Sequence, residues 1–445
     1  MITFHYSLLT THSSVDIDSI LKPYQRFGVH LGLERIQRLL NNLDNPQNRV
    51  PIVHVAGTNG KGSVCAYLSA VLKEAGYRVG RYTSPHLVDW TERICLNEQP
   101  IAVETLQQIL LQVQQAIPPD GETPTQFEII TAAAWLYFAQ AQVDIAIIEV
   151  GLGGRLDATN ICDRPLVTVI TSISREHWQQ LGPTVADIAR EKAGILKPNC
   201  PAVIGQLPLE AEAVVRSRIE ELDCPAIFPS PSRQIEPGWA EFQIQNSKFK
   251  IQNFTISDSR LPTPDSLQYP LPLLGDIQLM NSALAIAALQ ILQQQGWKIT
   301  AEAISTGMGK ARWLGRLQWT TWQGRKLLID GAHNPAAAQA LRQYVDTLEQ
   351  PVCWVMGMLS TKDHVDIFRA LLRPKDELHL VPVPDHSTAD PETLAKLARE
   401  CPQLAACHAY SNLFTALEAA TRSSNLIVLC GSLYLVGYFL RASKS

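Results

Sequence analysis

Short runs of consecutive apolar residues, without a polar residue at every second position, are the feature that most restricts the fold of this chain. Such runs occupy residues 51–56, 143–149, 166–171 and 201–204. Strands of this kind are covered on both faces, as in a parallel sheet with helices on each side. Helical patterns separate the runs, and the 46% of hydrophobic residues is enough to cover such a sheet. We therefore predict an α/β fold.

A second α/β series begins at residue 312, which predicts two domains. Residues 1–295 should form a large N-terminal domain, of the P-loop type, with a mostly parallel sheet and helices on both faces. Residues 296–311 should be a linker, and residues 312–445 a smaller, Rossmann-like α/β domain. Inside the first domain, residues 229–272 are weakly apolar, and FQIQN at 242–246 recurs as FKIQN at 249–253. Each copy alternates apolar and polar residues, which predicts an exposed hairpin insertion.

Composition excludes several classes of protein. The net charge of −4 gives no reason to expect nucleic acid or an acidic membrane surface as a partner. The nine cysteines form no CxxC pair, so their spacing suggests neither a disulfide framework nor a zinc site. The N-terminus lacks a signal-peptide pattern, and glycines interrupt the most apolar stretch, residues 426–440. We expect a cytoplasmic protein without a membrane span, in which that stretch is a buried strand followed by a packed helix.

A glycine-rich loop follows the apolar run at 51–56 and leads into a helical pattern. In this context backbone N–H groups and the helix N-terminus face an anion, and Lys61 reaches the outer phosphates of a nucleotide. The sequence departs from the common P-loop, because Val55 replaces the first glycine and the hydroxyl is delayed to Ser63. The alternative is a glycine-rich turn without a ligand. The predicted ATP-binding loop consists of Gly57, Thr58, Asn59, Gly60, Lys61, Gly62 and Ser63.

Glu149 ends an apolar strand run, at the carboxyl edge of the predicted sheet. Ligands of open α/β sheets gather at this edge, and a carboxylate beside a phosphate loop is a suitable oxygen ligand for magnesium. The alternative is a structural carboxylate at the end of a strand.

The loop AGTNGKGS at 56–63 resembles that of the Mur ligase superfamily, in the form carried by folylpolyglutamate and dihydrofolate synthases. The resemblance covers nearly the whole chain, because further motifs of that family follow in order. They are LGLERI at 31–36, TSPHL at 83–87, ERI at 92–94, TQFE at 125–128, EVGLGGRLDATN at 149–160, EKAGI at 191–195, Asn281, GR at 315–316, DGAHNP at 330–335, KD at 362–363 and CGS at 430–432.

The resemblance implies two magnesium sites held by Ser84, Glu149, His177 and Lys192, the lysine as a carbamate formed with CO2. By itself the sequence would place Lys192 on a solvated helix face, and His177 could equally be structural. The family has aspartate before the metal-site histidine, whereas this chain has Glu176. If Glu176 supports His177, the longer side chain requires a different geometry.

The resemblance also assigns residues around ATP. Asn281 would contact adenine, Arg316 the phosphates and Asp330 the nucleotide, while His333 would help to place ATP or the incoming glutamate. Asn281 could instead be a helix N-cap, and Asp330-Gly a simple turn. Trp313 is expected to pack at the domain junction.

The pteroate or folate side is implied by two further segments. Phe127 could stack on a pterin ring, with ordinary core packing as the alternative. The implied substrate-binding residues are Thr125, Gln126, Phe127, Glu128, Leu156, Asp157 and Ala158.

The resemblance implies an ATP-dependent carboxylate–amine ligase that adds L-glutamate to dihydropteroate, to folates, or to both, through an acyl phosphate. The partners would be these small molecules alone, and the chain would be a monomer. A monofunctional folylpolyglutamate synthase is the first alternative, and a peptidoglycan Mur ligase the next. A nucleotide-sensing module without catalysis would bind ATP but have no need of a second metal site.

Overall fold

The structure, a computed structural model, describes residues 16–25, 31–244, 266–400, 404–423 and 425–443. The described residues form two α/β domains, the first built on an eight-stranded sheet and the second on a six-stranded one. The predicted fold class is confirmed.

Strand order in the first sheet is β4-β3-β2-β5-β1-β6-β7-β8, parallel from β2 to β8, with β3 and β4 as an antiparallel edge. The strands are β1 Ile52–Ala56, β2 Val79–Tyr82, β3 Ile94–Leu96, β4 Gln99–Pro100, β5 Ile145–Glu149, β6 Val167–Ile170, β7 Ala202–Ile204 and β8 Ala226–Ile227. The helices are α1 Ile17–Leu21, α2 Glu34–Asn41, α3 Lys61–Glu74, α4 Val103–Gln115, α5 Gln126–Gln140, α6 Trp178–Leu181, α7 Val185–Ala193, α8 Leu209–Glu221, α9 Ile277–Gln294 and α10 Ala301–Lys310.

Both faces of this sheet are buried, as the uninterrupted apolar runs predict. On one face α3 and α9 pack against side chains such as Val53 and Ile147. On the other face α4 and α5 cover Ile52 and Ile148, while α7 and α8 cover Ile170 and Ile204. The parallel register aligns Val55 with Glu149, so the loop after β1 begins beside the end of β5.

The insertion is only partly as predicted. It contains an antiparallel sheet of β9 Arg233–Glu236, β10 Trp239–Gln243 and β11 Ser266–Pro270, in which β9 and β10 form a hairpin. Its exposure was predicted wrongly, because Ala240, Phe242 and Tyr269 are buried in the core around α9. The second copy of the repeat, residues 249–253, lies outside the described residues.

The segment 296–311, which was predicted to be a linker, also differs from its prediction. Most of it is helix α10, which packs along α3 and β11 of the first domain. Gly307 permits this close approach, since a Cβ there would collide with the backbone of Val71. The structured part of the first domain therefore extends to Lys310.

Strand order in the second sheet is β12-β13-β17-β14-β15-β16, with β12 antiparallel and the others parallel. The strands are β12 Gln318–Trp322, β13 Arg325–Ile329, β14 Val352–Met356, β15 Glu377–Leu380, β16 Ala406–Ala409 and β17 Leu426–Cys430. The helices are α11 Pro335–Asp346, α12 His364–Leu371, α13 Pro391–Ala398, α14 Leu413–Thr421 and α15 Leu433–Ala442.

The apolar stretch at 426–440 becomes the fully buried strand β17 and the packed helix α15, as predicted. Among the residues described, no helix combines the length and the hydrophobicity that crossing a membrane requires.

Replacing Gly307 with alanine should destabilise the first domain by about 1–3 kcal/mol, because the new methyl group meets backbone that cannot move aside cheaply. The free energy of unfolding in urea measures the loss. Thr306→Ala on the exposed side of α10 is the matched control and should stay within about 0.5 kcal/mol of the parent. A Gly307→Ala variant as stable as that control would show that the α3–α10 contact is loose.

Candidate active site between the domains

Two adjacent cavities lie between the domains and share Ser84, His177 and His333 in their walls. The smaller cavity, of about 190 Å³, is lined by the glycine-rich loop together with Glu149 and Arg316. The larger, about 450 Å³, extends from the shared wall towards α5. A smaller, more polar cavity therefore adjoins a larger, mainly apolar one.

The glycine-rich loop is held against the end of β6 by backbone and hydroxyl contacts. The Thr58 N–H donates to the Ser172 carbonyl over 2.7 Å, and the Asn59 N–H donates to Ser172 Oγ over 3.1 Å. Thr171 Oγ1 donates to the Asn59 carbonyl over 2.6 Å. Gly57 has φ +150°, and any Cβ there would collide with Thr171. The backbone of the loop is thus fixed before α3 begins.

Two lysines converge on one carbonyl of this loop. Lys61 Nζ lies 3.1 Å and Lys192 Nζ 2.8 Å from the Gly57 oxygen. Lys61 Nζ also lies 3.9 Å from Glu149 Oε1, while Glu149 Oε2 accepts the Ser84 N–H over 3.2 Å. The cations, the loop and the carboxylate at the end of β5 therefore form one cluster, as expected for a site that binds phosphates and a hard metal ion.

Lys192 is buried, with 6% of its surface exposed, so the solvated-helix interpretation is wrong. Burial, reinforced by the positive charge of Lys61, lowers the pKa of Lys192 to about 7. A large fraction of the amine is therefore uncharged near neutral pH. Burial acts in the opposite direction on Glu149 and raises the pKa of its carboxyl, an effect that Lys61 partly offsets.

His177 follows β6 in the left-handed conformation, with φ 50°, and faces both cavities. Burial lowers its pKa to about 4, so its imidazole is neutral at pH 7 and retains a lone pair for a metal ion. The described geometry gives no hydrogen bond between Glu176 and His177.

Glu176 instead reaches across to the second domain. Its Oε1 lies 3.0 Å from His333 Nε2 and 3.2 Å from Lys362 Nζ. Although burial opposes ionisation, the hydrogen bond and charge of His333, together with Lys362, bring the pKa of Glu176 well below its usual range. His333 Nδ1 lies 2.7 Å from the Gly331 carbonyl. Both ring nitrogens of His333 therefore lie close to oxygen atoms, one on Glu176 and one on the Gly331 carbonyl.

A second contact between the domains joins Asn59 and Asn334 through their side-chain amides. Asn334 Nδ2 donates to Asn59 Oδ1 over 3.1 Å, and Asn59 Nδ2 donates back to Asn334 Oδ1 over 3.3 Å. The same Asn334 oxygen accepts the Ala337 N–H at the start of α11, over 2.8 Å. One side chain therefore caps a helix and contacts the phosphate loop. The sequence interpretation gave it no role, although it lies within DGAHNP.

Arg316 and Asp330 both line the smaller cavity. The carboxylate of Asp330 accepts hydrogen bonds from the N–H groups of Leu317 and Ala332 over 2.8 and 2.7 Å. Because Asp330 follows β13, the bond to Leu317 attaches the segment containing Arg316 to the end of that strand. Asp330 therefore both lines the cavity and fixes the backbone of its wall, whereas a simple turn would require neither.

Asn281 lines the same cavity but is not a helix N-cap, because α9 begins one turn earlier, after Asp276. Asn281 Nδ2 donates to Gln278 Oε1 over 3.1 Å, and Gln278 Nε2 in turn donates to Ser63 Oγ over 3.3 Å. Gln278 was not predicted. Trp313 packs against the core of the first domain and lines the smaller cavity, and its ring lies so close to Gly62 that a Cβ there would collide with it.

All seven residues implied on the folate side line the larger cavity. Some of their polar groups already form hydrogen bonds within the protein. Thr125 and Glu128 form a reciprocal capping box at the start of α5, and Glu128 also accepts two contacts from Arg35 Nε. Asp157 accepts the N–H groups of Leu152 and Thr159. These residues shape the wall, while Phe127 both lines the cavity and packs against the core.

Comparison with known proteins adds to this geometry. Residues 55–289 match the family described as Mur ligase middle domain, and residues 316–442 match the family described as dihydrofolate synthetase, C-terminal domain.

The chain is 34% identical to the dihydrofolate synthetase of Saccharomyces cerevisiae over 441 residues, covering 94% of this chain and 99% of that protein. It is 33% identical to the dihydrofolate synthase/folylpolyglutamate synthase of Bacillus subtilis, covering 92% of this chain and 94% of the relative. The structure of E. coli FolC in complex with DHPP and ADP aligns with a TM-score of 0.79 at 30% identity, covering 96% of each chain.

Replacing Asn334 tests its two roles separately. Asn334→Ala should lower the free energy of unfolding by about 1 kcal/mol through loss of the cap on α11. Asn334→Asp keeps a capping oxygen but cannot donate to Asn59, so it should remain within about 0.5 kcal/mol of the parent. Urea unfolding compares the two variants. Equal losses would place the stabilisation in the contact with Asn59 rather than in the cap.

Proposed function

Because this chain belongs to the folylpolyglutamate synthase/dihydrofolate synthase family of the Mur ligase superfamily, we propose that it joins L-glutamate both to dihydropteroate and to reduced folates. The broader activity is ATP-dependent glutamate ligation in folate metabolism. The observation that carries the proposal is the junction of the two cavities at Ser84, His177 and His333, where a carboxylate could meet a nucleotide phosphate.

The first step transfers a phosphoryl group. ATP lies along the loop at 57–63, and one oxygen of the substrate carboxylate attacks the γ-phosphorus as the bond to the β–γ bridging oxygen breaks. ADP leaves, and an acyl phosphate forms. Lys61 and Arg316, which line the nucleotide cavity, stabilise the charge that spreads over the phosphoryl oxygens.

In the second step the neutral amino group of glutamate attacks the acyl carbon, inorganic phosphate leaves from the same carbon, and the nitrogen releases a proton to solvent. An acyl phosphate hydrolyses readily, so water must be kept out. The contacts of Asn59 with Asn334, and of Glu176 with His333 and Lys362, hold the second domain over the phosphate loop and serve this purpose.

The residues present fit magnesium. Glu149 supplies a buried carboxylate beside the phosphate loop, His177 a neutral imidazole and Ser84 a hydroxyl in the same wall. Magnesium held there would neutralise phosphate charge during transfer. We propose these three residues, with Lys192, as the ligands of two ions.

Lys192 fits a carbamate. Its amine is buried beside the Gly57 carbonyl, and its lowered pKa leaves much of it neutral, the form that adds CO2. The carbamate would replace a positive charge, which repels magnesium, with a negative oxygen ligand.

The range of acceptors is the finer part of the proposal. A cavity of about 450 Å³ with Phe127, Tyr24 and Tyr434 in its wall suits a flat aromatic substrate. A dihydrofolate synthase without polyglutamylation is the second candidate, because the yeast relative and the family match over residues 316–442 are named for that activity alone. We further propose that the protein acts as a cytoplasmic monomer.

The purified protein should form dihydrofolate from dihydropteroate, ATP and glutamate, and should extend tetrahydrofolate by further glutamates. Mass spectrometry of the products identifies both activities. Lys61→Ala should lower kcat/KM by at least about a hundredfold with the fold retained, since it removes a charge at the outer phosphates. A folded Lys61→Ala variant with parental turnover would contradict the assignment of the loop. Dihydrofolate without longer products would favour the second candidate.

Lys192→Ala should be nearly inactive, and a short carboxylic acid in solution should restore part of the activity by replacing the carbamate oxygens. With ¹³C-labelled bicarbonate, the parent should give a carbamate carbon signal that grows between pH 6 and pH 8, as the amine with its pKa of about 7 loses its proton. Arg190→Ala, an exposed position on the same helix, should keep both signal and activity. A parent without that signal, together with an active Lys192→Ala variant, would exclude the carbamate.

A further inference from the structure

A polar cluster interrupts one face of the second sheet, away from the cavities between the domains. Cys353 on β14 lies opposite Glu377 on β15, and His379 on β15 lies opposite His408 on β16. The intervening side chains, Trp354 and Leu378 among them, face the other side and belong to an apolar core. Both faces of a covered parallel sheet are expected to be apolar. These polar residues therefore need an explanation.

The cluster is separate from the proposed active site. Cys353 and Glu377 lie at the beginnings of their strands, whereas Asp330 and Gly431, which line the cavities, follow the carboxyl ends of theirs. Neither cavity has Cys353, Glu377 or His379 in its wall. The reaction proposed above uses none of them.

The carboxylate of Glu377 is oriented by its surroundings. Its Oε1 accepts hydrogen bonds from Ser423 Oγ over 3.0 Å and from Asn425 Nδ2 over 2.9 Å. Its other oxygen, Oε2, lies 3.8 Å from His379 Nε2. Outer hydrogen bonds of this kind commonly fix a carboxylate that ligates a metal ion with its remaining oxygen.

His379 is buried, with 4% of its surface exposed, and stacks on Tyr410 at 5.2 Å between ring centroids. Its Nδ1 has no hydrogen-bond partner. A buried polar atom without a partner is rare because it loses the hydrogen bonds of water without replacement. The ring is therefore held in place with Nε2 3.8 Å from Glu377 Oε2, while Nδ1 has no partner.

Cys353, Glu377 and His379 each have one potential metal-ligand atom, and these three atoms all lie within 4.8 Å of one another. Thiolate, imidazole and carboxylate form the ligand set that zinc accepts, whereas magnesium does not favour sulfur. Burial lowers the pKa of His379, which keeps the imidazole in its metal-binding form. Burial raises the pKa of the Cys353 thiol, so the thiol stays protonated until a cation stabilises the thiolate.

We propose that Cys353, Glu377 and His379 bind one zinc ion that ties β14 to β15 in the second domain. The Cys353 S–H bond breaks on binding, the sulfur electron pair forms the bond to zinc, and the proton is released to solvent. The exposed His408 lies opposite His379 on the neighbouring β16. Because zinc would bind the folded domain only, it should stabilise the protein.

Metal binding to the full-length protein tests this site directly. The protein is treated with chelator, desalted, and titrated with Co2+ as the probe and then with Zn2+, with Mg2+ in excess to occupy the hard-oxygen site near Glu149. Cobalt bound to a thiolate gives a charge-transfer absorption that oxygen and nitrogen ligands do not produce. Zinc retained after desalting is measured by elemental analysis.

The matched variants are Cys353→Ser and His379→Gln, which preserve shape and polarity. Cys407→Ser is the control, because Cys407 lies on the neighbouring β16 but packs towards the opposite core. The parent and Cys407→Ser should retain one zinc per chain, show the cobalt–thiolate absorption and unfold at a higher temperature with zinc. Cys353→Ser should lose the absorption, and His379→Gln should bind zinc at least about tenfold more weakly.

The proposal is overturned if the parent gives no cobalt–thiolate absorption, which is decisive even if a variant fails to fold. It is also overturned if folded Cys353→Ser retains as much zinc as the parent, or if Cys407→Ser loses it. Each of these results would leave the cluster as a hydrogen-bonded group of buried polar side chains. Glutamate ligation by the parent is measured in parallel, so loss of the proposed function would be recognised separately.

Discussion

The alignment of four parallel strands, in the order β2-β5-β1-β6, is the constraint on which the proposed active site depends. Each strand ends at the same edge, and the chain just beyond or at each end supplies one part of the site. Ser84 follows β2, Glu149 ends β5, the phosphate loop follows β1, and His177 follows β6. Hydrogen bonds between the backbones fix the relative heights of these ends, because a parallel register cannot slip without exposing buried side chains.

Burial then sets the chemistry of the groups collected at this edge. It raises the pKa of Glu149, lowers that of Lys192 to about 7 and lowers that of His177 to about 4. Each change has burial as its main cause, because burial disfavours the charged form of a group. ATP with magnesium would supply further charges of opposite sign, since phosphate oxygens match Lys61 and Arg316 while the cation matches Glu149. The site is thus prepared for ligands of opposite charge that arrive together.

Contacts between the domains connect this edge to the second sheet. Glu176, next to His177 in sequence, pairs with His333 and Lys362, and Asn59 in the phosphate loop pairs with Asn334. Residues that shape the phosphate site are therefore also the residues that hold the second domain.

The sequence by itself determined the two α/β domains and the strands beside the proposed site, and it predicted that the glycine-rich loop binds phosphate. Those features follow from local patterns, namely apolar runs, glycine positions and motif order. Only the tertiary structure decided that Lys192 is buried, that Asn281 lies inside α9 and that the hairpin insertion packs on the core. It also decided that Glu176 contacts the second domain, and that Cys353, Glu377 and His379 lie together although their spacing forms no metal motif. Burial and the partners of a side chain depend on residues distant along the chain, and a pattern of neighbours in sequence carries no record of them.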